Sequence, residues 1–444
     1  MNDLEKLIQE LCPDGVEYKE LKSVFEMRNG YTPSKAKAEF WEGGTIPWFR
    51  MEDIRENGNI LSDSAQHITS AAVKGKLFPA NSIIVATSAT IGEHALITVE
   101  SLANQRFTYL VRRPEYEEKL DPKFVYYYCY KLDEWCLNNT NISSFPSVDM
   151  AKFAKFKIPI PPLPVQREIV RILDNFAELT AELTAELTAR KKQYEYYRDK
   201  LFSFNVLNCA SVGNSLNNIV VMPLGEEDMS KLKELIQKLC PNGVEYRKLG
   251  EVCDFINGFA FKSSLFKDIG EPIIRITNIN GNAVDLSNVK YFNASDYKSD
   301  LHPFAIYYGD ILIAMSGATT GKIGYYCNKS TAYLNQRVGK FVPNKYILKN
   351  RYLFHFLCSK INELYIMAGG GAQPNLSSTK LMNDIVIPLP PLEVQKEIVR
   401  ILDKFDMLAT SISEGLPKEI ELRRKQYEYY RNQLLSFPDN KATA

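Results

Sequence analysis

Few residues of this 444-residue chain stand at spacings that could carry out covalent chemistry. The nearest approach to a cofactor motif is SGATTGKIG, residues 316–324. Its Gly317 and Gly321 are one residue too close for a phosphate loop of the GxxxxGK[ST] type, and Ile323 stands where a magnesium-binding hydroxyl is needed. The matching stretch SATIGE (88–93) has no lysine. No glycine-rich dinucleotide fingerprint follows a strand pattern, and the zinc-deaminase signature is absent. Eight cysteines (Cys12, Cys129, Cys136, Cys209, Cys240, Cys253, Cys327, Cys358) show no CxxC spacing, which reads as reduced thiols of a cytoplasmic protein rather than a disulfide frame or zinc site. His67, His94, His302 and His355 have no partner pattern and read as surface or satisfied core residues. The expectation is a chain with no catalytic residue, no metal and no cofactor of its own.

Recognition chemistry is better represented. Polar, basic and glycine-containing stretches place Tyr31, Thr32, Ser34, Lys35, Arg50, Lys74, Lys76, Ser88, Thr90, Gln105 and Arg106 in the first half of the chain. The second half has Phe259, Lys262, Ser263, Arg275, Asn278, Ser316, Thr319, Lys322, Gln336, Arg337, Gln373 and Asn375. Arginine can pair with guanine edges and Asn or Gln with adenine, while Lys, Ser and Thr mostly hold phosphates, so these are candidate contacts to double-stranded DNA. Strand capping is an equal reading for Asn104-Gln105-Arg106, and the lysines also fit a solvated surface. Charge permits only local attraction. The chain has 54 basic and 53 acidic residues, with 26 and 29 of them in residues 1–222 and 28 and 24 afterwards.

The elements that must position these residues are written twice. LIQELCPDGVEY (7–18) returns as LIQKLCPNGVEY (235–246), PPLPVQREIVRILDNF (161–176) as PPLEVQKEIVRILDKF (390–405), and KQYEYYR (192–198) as residues 425–431. Between these blocks the halves drift apart but keep their punctuation. Asn29-Gly30 answers Asn257-Gly258, Asn104-Gln105-Arg106 answers Asn335-Gln336-Arg337, and Pro146 answers Pro374.

Leu4, Leu7, Ile8 and Leu11 share one face of a framing helix, as do Leu232, Leu235, Ile236 and Leu239. A second framing helix follows each Pro-rich junction, with a coiled-coil seam at Val165, Ile169, Ile172, Phe176, Leu179 and Leu183. AELTAELTAELTA (177–189) then inserts a stutter before Tyr194, Tyr197, Leu201 and Phe204. The second copy breaks at Gly415-Leu416-Pro417. Strands are expected at Ser82–Thr87, Ala95–Val99, Phe107–Val111, Asp310–Ala314, Ile323–Tyr326 and Val338–Val342, with helices at Lys123–Leu137 and Asn350–Met367.

These readings give an α+β chain, in which two mixed α/β modules are joined by long antiparallel coiled-coil helices in a pseudo-twofold internal duplication. The expected boundaries are residues 1–160 (first module), 161–204 (central helical spacer), 205–228 (linker), 229–389 (second module), 390–438 (C-terminal helical spacer) and 439–444 (tail). Two heads at fixed separation suit a target of two short half-sites. A duplicated coiled-coil scaffold that binds only proteins is the alternative.

IPxPPLxxQxEIVRILDxF, the QYEYYR block with its LxSF tail, the LCPxGVEY opening and Gly317-Ala318-Thr319 together resemble the specificity subunit of type I restriction–modification systems. The resemblance implies two target recognition domains reading an asymmetric bipartite site. It implies assembly with two modification subunits, which carry S-adenosylmethionine and methylate adenine, and with ATP-driven restriction subunits that cleave DNA. It also implies a non-catalytic role for this chain. The TAEL tract departs from the second half's SISEGLPKEIELR (411–423) and is expected to help set the separation of the two heads.

Overall fold

A computed structural model describes residues 2–141, 146–203, 226–369, 374–410 and 415–439. Most of the expected linker, together with Phe204 and Gln373, lies outside them.

In the first module the strands Phe25–Asn29, Phe107–Arg112, Ser82–Ala86, His94–Ile97 and Ile60–Leu61 form one sheet in that order, antiparallel except for the last pair. Every residue of Ser82–Ala86 is buried because both faces of this strand are covered. Ile83 and Val85 pack toward the helix Pro122–Asn138, whereas Ile84 and Ala86 face a second core under the sheet Ile46–Phe49, His67–Ile68 and Leu102–Ala103. This is the two-residue alternation of a pleated strand. The Asp121 carboxylate starts the helix by accepting from the Lys123 (2.8 Å) and Phe124 (3.3 Å) N–H groups, with Pro122 in the first turn.

The second module repeats the plan. Cys253–Asn257, Val338–Pro343, Ile311–Ala314 and Ile323–Tyr325 form an antiparallel sheet, and Lys290–Phe292, Glu271–Ile274, Ala332–Leu334 and Ala305–Ile306 form the other. All six expected strands are present within a residue or two at each end. The single helix expected over Asn350–Met367 is instead two, Asn350–Ser359 and Ile361–Met367. At Lys360 the backbone leaves the α region, its N–H closes a tight turn on the Leu357 carbonyl (3.0 Å), and the redirected chain buries Leu364.

The duplicated blocks close each half on itself. Tyr18–Glu20 pairs antiparallel with Lys157–Pro159, and Glu245–Lys248 pairs with Val386–Leu389. Beside each pair a buried glutamine ties the framing helix to its module. Gln166 accepts from the Asp121 N–H (2.8 Å) and donates to the Lys119 (2.8 Å) and Pro161 (2.6 Å) carbonyls. Gln395 does the same with Lys349, Ile347 and Pro390, each at 2.8 Å.

The chain packs as two units, residues 1–182 with 421–444, and residues 183–420. Each contains one module and the terminal stretch of a long helix that begins beside the other. The helix Leu163–Leu201 is continuous through the TAEL tract, so Tyr194, Tyr197, Leu201 and Phe202 belong to the second unit's core. Likewise Tyr427 and Leu434 of the helix Leu416–Leu434, with Leu435 and Phe437 just beyond it, pack in the first unit. Phe176 stacks on Tyr430 in the first unit and Tyr197 on Phe405 in the second.

Two expected apolar faces are corrected. Leu179 is 46% exposed, because the helix packs its first turns through the wider stripe Val165, Ile169, Val170 and Leu173 before emerging along TAEL. Leu11 is 43% exposed, since its helix ends there and only Leu4, Leu7 and Ile8 reach the core.

His355 is buried between the Tyr194 hydroxyl (2.8 Å) and Asp403 (2.8 Å), with Arg351 completing the cluster on Asp403 and Asp406. Burial holds its pKa below the usual histidine value, outweighing the pull of Asp403. His94 is also buried, against Asp133 (2.5 Å). No helix among the described residues is long and apolar enough to cross a membrane.

Candidate nucleic-acid interface

The same backbone web positions the candidate residues in both modules. Gly30 N–H donates to the Phe107 carbonyl (3.0 Å) and Gly258 to Val338 (3.0 Å). Asn104 N–H donates to Phe49 (3.0 Å) and Asn335 to Ile274 (3.0 Å). Thr87 N–H donates to the Arg106 carbonyl (3.0 Å) and Met315 to Arg337 (2.9 Å). Ala89 N–H reaches Pro146 (3.1 Å) and Gly317 reaches Pro374 (3.2 Å). Sheet register agrees, with Asn29 opposite Thr108 and Asn257 opposite Gly339. Glycine is required at 30 and 258, where a Cβ would lie 2.1 Å from the Ala103 carbonyl oxygen and 2.0 Å from that of Asn335. The repeated Asn-Gly, Asn-Gln-Arg and proline signals therefore mark one converging set of loops in each module.

Arg50 and Arg275 occupy matched places at the ends of the strands Ile46–Phe49 and Glu271–Ile274. The residue three places on holds each backbone: Asp53 accepts from Arg50 N–H (2.7 Å) and Asn278 from Arg275 N–H (3.0 Å). Asn278 is thereby removed from the surface. It is 2% exposed, and its amide also donates to the Asp285 (3.1 Å) and Asn288 (3.2 Å) carbonyls. It positions Arg275, a role visible in the sequence only once Arg-x-x-Asp and Arg-x-x-Asn are aligned on their arginines. Asp53 and Trp48, whose indole N–H donates to the Tyr31 carbonyl (3.0 Å), were not apparent from pattern.

Other candidates divide between packing and exposure. Phe259 packs against Phe261, Tyr297 and Phe304 at ring separations of 5.0–5.6 Å. Tyr31 accepts from the Lys74 N–H and donates to the Ala72 carbonyl (3.1 Å). Thr32 donates to the Gln105 side-chain oxygen. Thr319 donates to the Ile276 carbonyl (3.0 Å), holding its loop against the Arg275 turn. Ser34, Lys35, Lys74, Lys76, Gln105 and Arg106 are exposed, as are Lys262, Ser263, Gln336, Arg337 and Asn375. Lys322 is half-buried.

Arg50 Nε, Thr90 Oγ1, Arg275 Nε and Ser316 Oγ are buried without a hydrogen-bond partner. Buried polar atoms are ordinarily satisfied, but His94 Nε2 and Arg431 Nε, away from these loops, are in the same position, so orphaning alone does not single out the site. Arg50 has only a distant ion pair with Glu52, at 3.9 Å. The loop 316–322 leads into the strand Ile323–Tyr325 rather than a helix, so it lacks the helix N-terminus that a phosphate loop uses.

Comparison with known proteins agrees with this layout. The profile of the Type I restriction modification DNA specificity domain matches residues 13–190 and 241–422. The chain is 42% identical over 425 residues to the Type I restriction enzyme EcoprrI specificity subunit of Escherichia coli, covering 93% of this chain and 92% of that protein. It is 35% identical over 339 residues to the EcoR124I/EcoR124II specificity subunit of the same organism, covering 71% of each. Its fold is similar to a solved chain described under complex assembly and conformational transition of the type I R-M system, with a TM-score of 0.59 at 18% identity and coverage of 95% and 97%.

Proposed function

The chain belongs to the type I restriction–modification DNA specificity family, and from that premise we propose that each module reads one half of an asymmetric, bipartite DNA site. The specificity subunit chooses the DNA; two modification subunits methylate adenine there with S-adenosylmethionine, and ATP-driven restriction subunits cleave. This chain contributes recognition and docking and carries no catalytic group or cofactor. The observation that carries the reading is the loop web built twice from the same hydrogen bonds but surfaced with different side chains. A scaffold that binds only proteins is not favoured, because the DNA-specificity profile spans both halves.

Mapping methylated adenines in DNA from cells that carry the chain with its modification subunits tests the reading. The expected map shows two short specified motifs separated by unspecified bases. One uninterrupted motif, or no methylation attributable to the complex, overturns it.

A further inference from the structure

The two loop webs can be matched residue by residue, and the match sorts the candidate contacts into two classes. Arg50, Gln105 and Arg106 coincide with Arg275, Gln336 and Arg337. Other matched positions differ. Thr32 faces Ala260 in the comparison, Ser34-Lys35 faces Lys262-Ser263, and Glu93 faces Lys322, since Ala86 N–H binds the Glu93 carbonyl where Ala314 N–H binds that of Lys322. On the reading that each module recognises a different half-site, a side chain kept at the same fixed place in both cannot be what tells them apart. We infer that the shared Arg50/Arg275, Gln105/Gln336 and Arg106/Arg337 set grips the phosphate backbone common to both half-sites, and that the residues differing at matched positions discriminate the bases.

The geometry supports this division. The shared arginines are rooted in the backbone web, so their guanidinium groups start from the same point of each module. Arg106 and Arg337 are exposed, and neither makes an ion pair among the described residues. The Nε atoms of Arg50 and Arg275 are orphaned. Arg50 keeps a weak pair with Glu52 (3.9 Å) and Arg275 donates through Nη2 to the Asn288 carbonyl (3.2 Å), which leaves the Nε of each without a hydrogen bond. Donors left over at matched positions suit phosphate and sugar oxygens, which together take half or more of the hydrogen bonds in protein–DNA contacts and carry no sequence information. The differing set reverses charge between modules, from Glu93 to Lys322. Glu93 pairs with Arg55 (3.3 Å) and has no side-chain donor to offer a phosphate, so that position is not a common backbone grip.

The test uses the full-length chain assembled with its modification subunits, and reads DNA affinity against salt together with the methylated motif. Arg106→Ala and Arg337→Ala should each lower the slope of log K against log salt by about 1 while every specified base is retained. Arg106→Lys should keep the wild-type slope and motif, because a point charge holds a phosphate, whereas a bidentate guanine contact needs the arginine fork. Lys262→Ser and Lys322→Glu should change bases in the second half-site and leave the first untouched. A base lost from the motif in Arg106→Ala, Arg106→Lys or Arg337→Ala, or an unchanged slope in both alanine variants, overturns the inference, as does an unchanged motif in both lysine variants. A wild-type map without two separated motifs overturns the underlying two-half-site reading instead.

Discussion

A single buried amide in each half accounts for much of the repeated block PPLxVQ. Gln166 and Gln395 are 0% exposed, and each satisfies one N–H and two carbonyls where a module helix meets a framing helix. No other side chain of this size both accepts and donates twice in that geometry. Gln166→Ala should destabilise the first unit by about 3 kcal/mol, since it orphans buried backbone groups at about 1 kcal/mol or more each. Gln166→Glu should cost at least as much, because a carboxylate cannot donate to the Lys119 and Pro161 carbonyls. Thermal unfolding followed unit by unit checks this, with Gln395→Ala acting on the second unit. A melting profile like that of the unaltered chain would mean that water replaces the amide without loss.

Elements differ in how clearly the sequence announced them. Ser82–Ala86 and Ile311–Ala314 were plain because both faces are buried and the strands read as unbroken apolar runs. Tyr18–Glu20 and Lys157–Pro159 were not, because a three-residue strand exists only through a partner some 140 positions away. The break at Lys360 was hidden for a related reason: no proline or glycine marks it, and the turn serves the burial of Leu364. At the candidate site, identity between the halves revealed the Asn-Gln-Arg triplets, whereas Arg50 and Arg275 stood out only as basic residues and their equivalence follows from the strand register. The inward turn of Asn278 and Phe259 depended on packing that spacing does not encode.

The TAEL tract was legible as helix and is helix, continuous from Leu163 to Leu201. Removing Thr180–Leu183 shortens it by about 6 Å, against roughly 3.4 Å per base pair. The mapped site of that deletion should keep both motifs and change its spacer by one or two base pairs. An unchanged spacer would show that the tract is only a stable helix.

At the scale of the whole molecule, the duplicated chain does not divide into its two written halves. The first unit is completed by the chain's last segment: Val16 N–H donates to the Pro438 carbonyl (2.9 Å), the Tyr18 hydroxyl to Phe437 (3.0 Å) and the Lys131 ammonium to Leu435 (2.8 Å). Leu435 is fully buried there, and Phe437 and Tyr427 pack beside it. Full burial of a side chain such as Leu435 contributes about 1.5–3 kcal/mol, and the half-buried Phe437 and Tyr427 add less each, a sizeable share of the roughly 5–15 kcal/mol that stabilises an ordinary domain. Truncation after Ile420 removes them all while leaving residues 183–420, the second unit, whole. The damage should therefore appear in the half of the sequence far from the cut. Limited proteolysis of the truncated chain should cleave within residues 1–182 and spare the second module. Equal protection of both modules would show that the terminal helix is dispensable to the first core, and cleavage confined to residues 183–420 would contradict the packing of the two units.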